Sequence, residues 1–137
     1  MKFCFKILFL FLIFSSCQKD LTCSDFKEGT FSMNTDNKNY TIVRSGNSQV
    51  EYIKNIKEGI NSDSIHVTLQ WADDCTYRLK YDNSKMTFGN RERVVNENNG
   101  IVVSVIGING KCMDYNAVMT TNEGEIIEQK GSICKEF

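Results

Sequence analysis

Between Thr30 and Cys134 the chain is written in short alternations of apolar and polar residues, each broken by a cluster of Asn, Asp or Gly. The clearest is Ile65-His66-Val67-Thr68-Leu69-Gln70-Trp71. Its odd positions face one way and its even positions the other, the pattern of a strand buried on one side. Tyr77 to Tyr81 repeats it, and further strands are read at Thr30–Asn34, Tyr40–Ser45, Gln49–Asn55, Ile101–Ile108, Cys112–Thr120 and Glu125–Cys134. The chain has no proline, so its turns rest on residues such as those at 36–39, 46–47, 61–63, 98–100, 109–110 and 122–124. Asn109-Gly110 reads as a type I′ hairpin turn, which places positive φ on both residues. Short strands joined by tight turns imply an all-β domain. The expected fold is an antiparallel up-and-down barrel of about eight strands, or a strongly curved sheet, since closure removes exposed edges. No segment shows a convincing helical stripe. Asn83 to Asn99 is polar and weakly patterned, and reads as a long loop or a short strand around Met86-Thr87-Phe88. Ile53 to Ile60 reads as a strand end or one helical turn.

The first residues read as something other than fold. Lys2 and Lys6 precede an apolar run from Ile7 to Phe14, too short to span a bilayer, which takes roughly 20 residues. Ser15-Ser16-Cys17 follows. This order is that of a secretory signal, and its end resembles the lipobox of bacterial lipoproteins, with Phe14 where leucine is commonest. The resemblance implies a signal peptide over residues 1–16, lipidation at Cys17 and a tether over 17–22. The anchor implies a membrane association that is effectively permanent, because several acyl chains bind where one is marginal. Gln18 stands where an aspartate would retain the protein in the inner membrane. Gln18-Lys19-Asp20 resembles the surface-export signals of Bacteroidota lipoproteins, although it has one acid and Leu21 interrupts it. The expected place is the outer membrane, on its surface or its periplasmic face. The five residues from Gln18 to Thr22 reach at most about 18 Å.

The remaining roughly 120 residues, 23–137, are one domain. The net charge of the chain is −1, and the leader would remove two lysines and no acid. A mildly acidic domain with no basic stripe is a poor match for nucleic acid. With Cys4 in the leader and Cys17 lipidated, Cys23, Cys75, Cys112 and Cys134 remain. An even count in an exported domain reads as two disulfides. No CxxC pair is present, which argues against a zinc site. Four cysteines allow three connectivities. Cys112 and Cys134 lie symmetrically about Glu123 in the last turn, so antiparallel pairing sets them opposite each other. That favours Cys112 with Cys134, leaving Cys23 with Cys75.

The run Cys23-Ser24-Asp25-Phe26-Lys27-Glu28-Gly29-Thr30-Phe31, then Val43-Arg44, Gln49-Val50-Glu51 and Trp71-Ala72-Asp73-Asp74-Cys75-Thr76-Tyr77-Arg78-Leu79, resembles a group of small Bacteroidota outer-membrane lipoproteins. In that group the two cysteines matching Cys23 and Cys75 occur alone, which implies their pairing. Members are sometimes labelled DNA topoisomerase IV, an activity unsuited to an exported, small, acidic domain. Gly29-Thr30-Phe31 is also similar to the Gly-x-Trp of calycin (lipocalin-like) barrels, where the aromatic plugs the closed end. A further resemblance is to the small barrel inhibitors of lysozyme, without their inhibitory motifs.

Residues that could carry chemistry are few. His66 is the only histidine and sits on the polar face of its strand, with no patterned nucleophile beside it. Asp73 and Asp74 read as a turn beside a disulfide. Arg44 and Glu51, on strands flanking Gly46-Asn47, read as an exposed pair of little energetic weight. Asp63-Ser64-Ile65 resembles the O-glycosylation sequon of Bacteroidota exported proteins, with Ser64 the acceptor. Trp71, Tyr77, Tyr81 and Tyr115 are candidates for a ligand pocket. The expectation is therefore a monomeric, non-catalytic lipoprotein without cofactor or metal. It would meet the membrane through its lipid and bind a small ligand or an envelope protein. The alternative is an inhibitor of a secreted hydrolase such as lysozyme, with 83–99 as a protruding loop. An open apolar cavity would favour the first and a packed interior the second.

Overall fold

The computed structural model describes residues 20–57, 59 and 64–137. The proposed leader, Cys17 and Asp63 lie outside the described residues. A single 3-10 turn, Cys23–Phe26, leads into β1 (Gly29–Asn34), β2 (Lys38–Ser45), β3 (Ser48–Asn55), β4 (Ile65–Trp71), β5 (Thr76–Tyr81), α1 (Asn90–Glu97), β6 (Ile101–Asn109), β7 (Cys112–Thr120) and β8 (Ile126–Glu136). Each strand pairs antiparallel with the next, and β8 returns to β1, closing an eight-stranded barrel. Closure is made by Thr30, Phe31 and Ser32 against Glu136, Lys135 and Cys134. Both disulfides are formed, Cys23–Cys75 and Cys112–Cys134. The second joins residues directly opposed in the β7–β8 register, as the symmetry about Glu123 implies.

The alternation read in β4 sets Val67 and Leu69 into the core, while Thr68 and Gln70 are exposed. The same period runs round the barrel, so that inward residues stack in tiers. The lower tier holds Phe26, Phe31, Ile42, Met113 and Ile133. A second cluster of Val67, Leu69, Tyr77 and Val103 fills the β4–β6 wall. Phe26 and Phe31 stack at 5.6 Å, so the 3-10 turn corks this end of the barrel. Lys135 Nζ holds the cork by donating to the carbonyls of Asp25 and Glu28, and Lys27 pairs with Asp74 at 2.7 Å. Phe31 is fully buried in this tier.

Two local expectations are corrected. The β6–β7 loop is Gly110-Lys111, because Asn109 already pairs with Cys112. Positive φ falls on Gly110 alone (57°), so the glycine leads the loop as in type II′ hairpins, and the turn is not the I′ form. The larger correction is α1, in a segment read as loop or strand. Its signals are at its ends. Gly89 N donates to Glu92 Oε2 at 2.8 Å, satisfying a donor at the helix start. Asn99 takes the left-handed conformation (φ 64°) at the stop, and Gly100 N returns to Val95 O. Between them only Val94 and Val95 are apolar, too few to register as a stripe. Val95 is buried, and Asn96 acts as a stand-in strand: its amide exchanges two bonds with the Tyr81 backbone, each 2.9 Å. Ile53–Asn55 belongs to β3 and Ile56-Lys57 to a turn, so the strand-end reading holds there; Ile60 lies outside the described residues.

Candidate functional site

Above the packed tier the barrel is not full. A cavity of about 270 Å³ runs up its axis, walled by Ile42, Ile65, Val67, Leu79, Val103 and Ile133 together with Tyr40, Tyr77, Tyr81 and Tyr115. The corked end closes it below. It opens toward the end that carries α1, where Lys38, Arg91 and Gln129 stand at its edge.

The cavity's floor carries a polar chain. Arg44 and Gln49 are cross-strand partners on β2 and β3, and both point inward; they are 4% and 3% exposed. Arg44 donates from Nε to Gln49 Oε1 (2.7 Å), from Nη1 to the Phe26 carbonyl (2.9 Å) and from Nη2 to the Tyr77 hydroxyl (2.6 Å). Its guanidinium lies 4.8 Å from the centre of the Tyr77 ring and 5.4 Å from that of Phe31. Because Gln49 Oε1 is committed to Arg44, its amide nitrogen must face the other way, and it donates to Glu51 Oε1 at 2.6 Å. Arg44 and Glu51 are therefore joined through Gln49 inside the barrel. They do not form the exposed surface pair expected from sequence.

Glu51 is flanked in the ladder by Ile42 and Ile65. It is half-buried, and its remaining exposure is to the cavity it lines. Burial raises its pKa above the ordinary 4.5, against the opposing pull of the Gln49 bond and the Arg44 and Arg91 charges. The folded chain then binds this proton more readily than the unfolded chain. The stability linked to Glu51 falls as the pH rises from about 4.5 through the raised value, and the full penalty stands above it. Glu51→Gln is accordingly expected to melt higher than the parent at pH 8, with the difference closing by about pH 4. Asp74, Asp82 and Glu136, whose pKa values are lowered mainly by hydrogen bonds to Lys27, Ser84 and Ser32, lose their contributions in acid in both proteins. They cancel from the comparison. Thermal melts across this range check it, and a variant less stable than the parent at pH 8 would show that the carboxylate is net stabilising.

Three of the four aromatic residues nominated from sequence, Tyr77, Tyr81 and Tyr115, meet in this cavity. Burial raises the pKa of each, so all three hydroxyls are neutral in ordinary buffers. Tyr115 lies over Gly131, its partner in the β7–β8 register; a Cβ at that glycine would overlap the ring. Trp71 does not reach the cavity. It lies half-buried at the corked end, 4.6 Å from the Tyr77 ring, with Lys27 Nζ 5.1 Å from its own ring centre. The polar residues Arg44, Gln49 and Glu51 were missed as site residues. Their signal is the same alternation: if Ile42 points inward, so do Tyr40 and Arg44.

At the mouth a second space of about 510 Å³ lies between α1 and the β7–β8 hairpin, lined by Val94, Val95, Met119 and Ile127. It shares Arg91, Ile101, Ala117 and Gln129 with the barrel cavity, so the two adjoin. Val94 and Ile127 are 40% and 47% exposed, which leaves the mouth with an apolar lip.

The other candidates form no centre. His66 Nε2 lies 3.0 Å from Ser64 Oγ, two residues earlier and just before β4. Among the described residues no hydrogen bond reaches the other ring nitrogen. Asp73 Oδ1 accepts from the Cys75 amide at 2.7 Å, as a turn residue. Among the described residues no three His, Cys, Asp or Glu side chains gather as a metal site. Set against known proteins, the chain matches no family model, no curated sequence and no solved structure.

Proposed function

We propose that this chain is a non-catalytic lipoprotein of the outer membrane that holds a small ligand inside its barrel. The observation that carries the reading is the cavity: closed below, open above, with aliphatic and aromatic walls between a fixed polar floor and a polar edge, a concave site of the kind ligands occupy. The anchor rests on the Ser15-Ser16-Cys17 pattern. Residues 20–22 enter at the corked end, so lipid on Cys17 would hold that end toward the membrane and turn the mouth to the aqueous side. The inhibitor reading asks for a filled interior and a free loop. The interior is partly hollow, and 83–99 is pinned to the barrel by Asn96 on Tyr81 and by the Asn122 amide donating to Asn98 Oδ1 at 2.7 Å. Both observations favour the ligand reading.

The test uses N-phenyl-1-naphthylamine, a neutral dye that brightens in apolar sites. The domain is expected to bind it. Ala117→Trp, which places an indole at a residue lining both cavity and cleft, should weaken binding roughly tenfold or more, as loss of an apolar site of this size implies. Absence of dye binding by the parent, or binding indifferent to Ala117→Trp, would remove the barrel as a ligand site.

A further inference from the structure

The site is polar at both ends: Arg44, Gln49 and Glu51 lie deep, and Lys38, Arg91 and Gln129 stand at the mouth, beside an aliphatic cleft made by Val94, Val95, Met119 and Ile127. A molecule that enters tail-first would press hydrocarbon against a carboxylate. One that enters head-first sets its polar group there and its tail in the cleft.

The deep end specifies the head. Glu51 Oε1 is taken by Gln49, and Oε2 has no hydrogen-bond partner among the described residues. Its ladder neighbours, two isoleucines, have no side-chain donor to give it. The oxygen is open to the cavity rather than sealed among side chains, so a donor on a ligand can reach it. Charge narrows the choice. Arg44 already balances Glu51 through Gln49, so an ammonium would add an uncompensated cation, while a carboxylate would face Oε2 directly. Arg91 acts on Glu51 from the mouth and Lys38 stands beside it, but both are exposed, so solvent screens most of their pull on a head group held at Oε2. An uncharged donor leaves every buried charge paired.

Resting on the reading of the barrel as a ligand site, we propose that the cavity takes an uncharged amphiphile head-first. A hydroxyl or amide N–H of the head donates to Glu51 Oε2, and the hydrocarbon tail leaves past Ala117 into the cleft under α1.

Displacement of N-phenyl-1-naphthylamine by four eight-carbon probes tests this: 1-octanol, octanamide, octanoate and octylamine. With the parent protein the two neutral probes should compete roughly tenfold better than either charged one, the factor expected for one unpaired buried group. The order of octanol and octanamide tells which donor the site prefers. In Glu51→Gln, Gln49 still holds the new amide oxygen, so an N–H faces the head position. Octanoate should then gain roughly tenfold, with octanol, both donor and acceptor, changing less than about threefold. A cooperative thermal melt reports that the variant is folded. Octanoate or octylamine ranking first on the parent, four probes of equal strength, or an order untouched by Glu51→Gln would each overturn the proposal while leaving the barrel a ligand site. A parent that binds no dye would overturn both.

Discussion

Arg44→Ala is expected to lose about 3–5 kcal/mol of stability, the range for breaking a buried charge network by removing one member. The side chain is almost wholly buried and donates to three separate structures: the cork through Phe26, the β3 wall through Gln49 and the β5 wall through Tyr77. Removing it strands three acceptors near the barrel axis, each worth about 1–3 kcal/mol when left unpaired, with water from the cavity recovering part. It also removes the cation lying over Tyr77 and Phe31. Arg44→Lys should recover only a fraction, because an ammonium cannot reach three directions with the geometry of a planar fork. Urea unfolding measures both, and the midpoint should fall with little change in slope. A loss under about 1 kcal/mol for the alanine variant would mean that the cork and walls hold without this hub.

The barrel was legible because its determinants are local. A period of two sets which side chains enter, and turn residues set where strands reverse. β4 and β7 therefore have the bounds that alternation alone assigns, Ile65–Trp71 and Cys112–Thr120. The Cys112–Cys134 pairing is the same local logic carried across one hairpin. α1 escaped because its helix is held by tertiary bonds rather than by an apolar stripe. Asn96 on Tyr81 and Arg78 Nη1 on the Asn99 carbonyl do what a hydrophobic face would do elsewhere. The polar interior escaped for a different reason. Arg44 and Glu51 read as surface because charged residues are seldom buried, and that prior overrode the phase of their own strands. Trp71 shows the converse: an inward phase at a strand's end reaches the barrel's rim, where inward no longer means inside. Gln49 is the residue that sequence undervalues most. It joins a cation to an anion neither of which it resembles, and only the register Arg44 to Gln49 shows it.

Replacing Cys23 and Cys75 together by serine is expected to lose about 4 kcal/mol, against about 3 kcal/mol for the Cys112/Cys134 pair. The difference follows from loop length in the unfolded chain, since the bridges span separations of 52 and 22 residues. The native state should separate the two further. Cys112 and Cys134 sit in a hairpin paired along the whole of β7, which holds the same register without the bond. Cys23 begins the 3-10 turn that carries Phe26 into the floor, and Cys75 lies in the β4–β5 turn; no strand ladder joins them. What remains there includes Phe26 stacked on Phe31, Arg44 on the Phe26 carbonyl, Lys135 on Asp25 and Glu28, and the exposed Lys27–Asp74 pair. Loss of the first bridge should therefore loosen the cork before the barrel melts, and tryptic cleavage after Lys27 should speed up under conditions where the barrel remains folded. Loss of the second should leave that cleavage unchanged. Equal losses of stability in the two variants, with Lys27 equally protected in both, would show that the cork is held by its side-chain bonds and that the long bridge adds nothing beyond a second hairpin clasp.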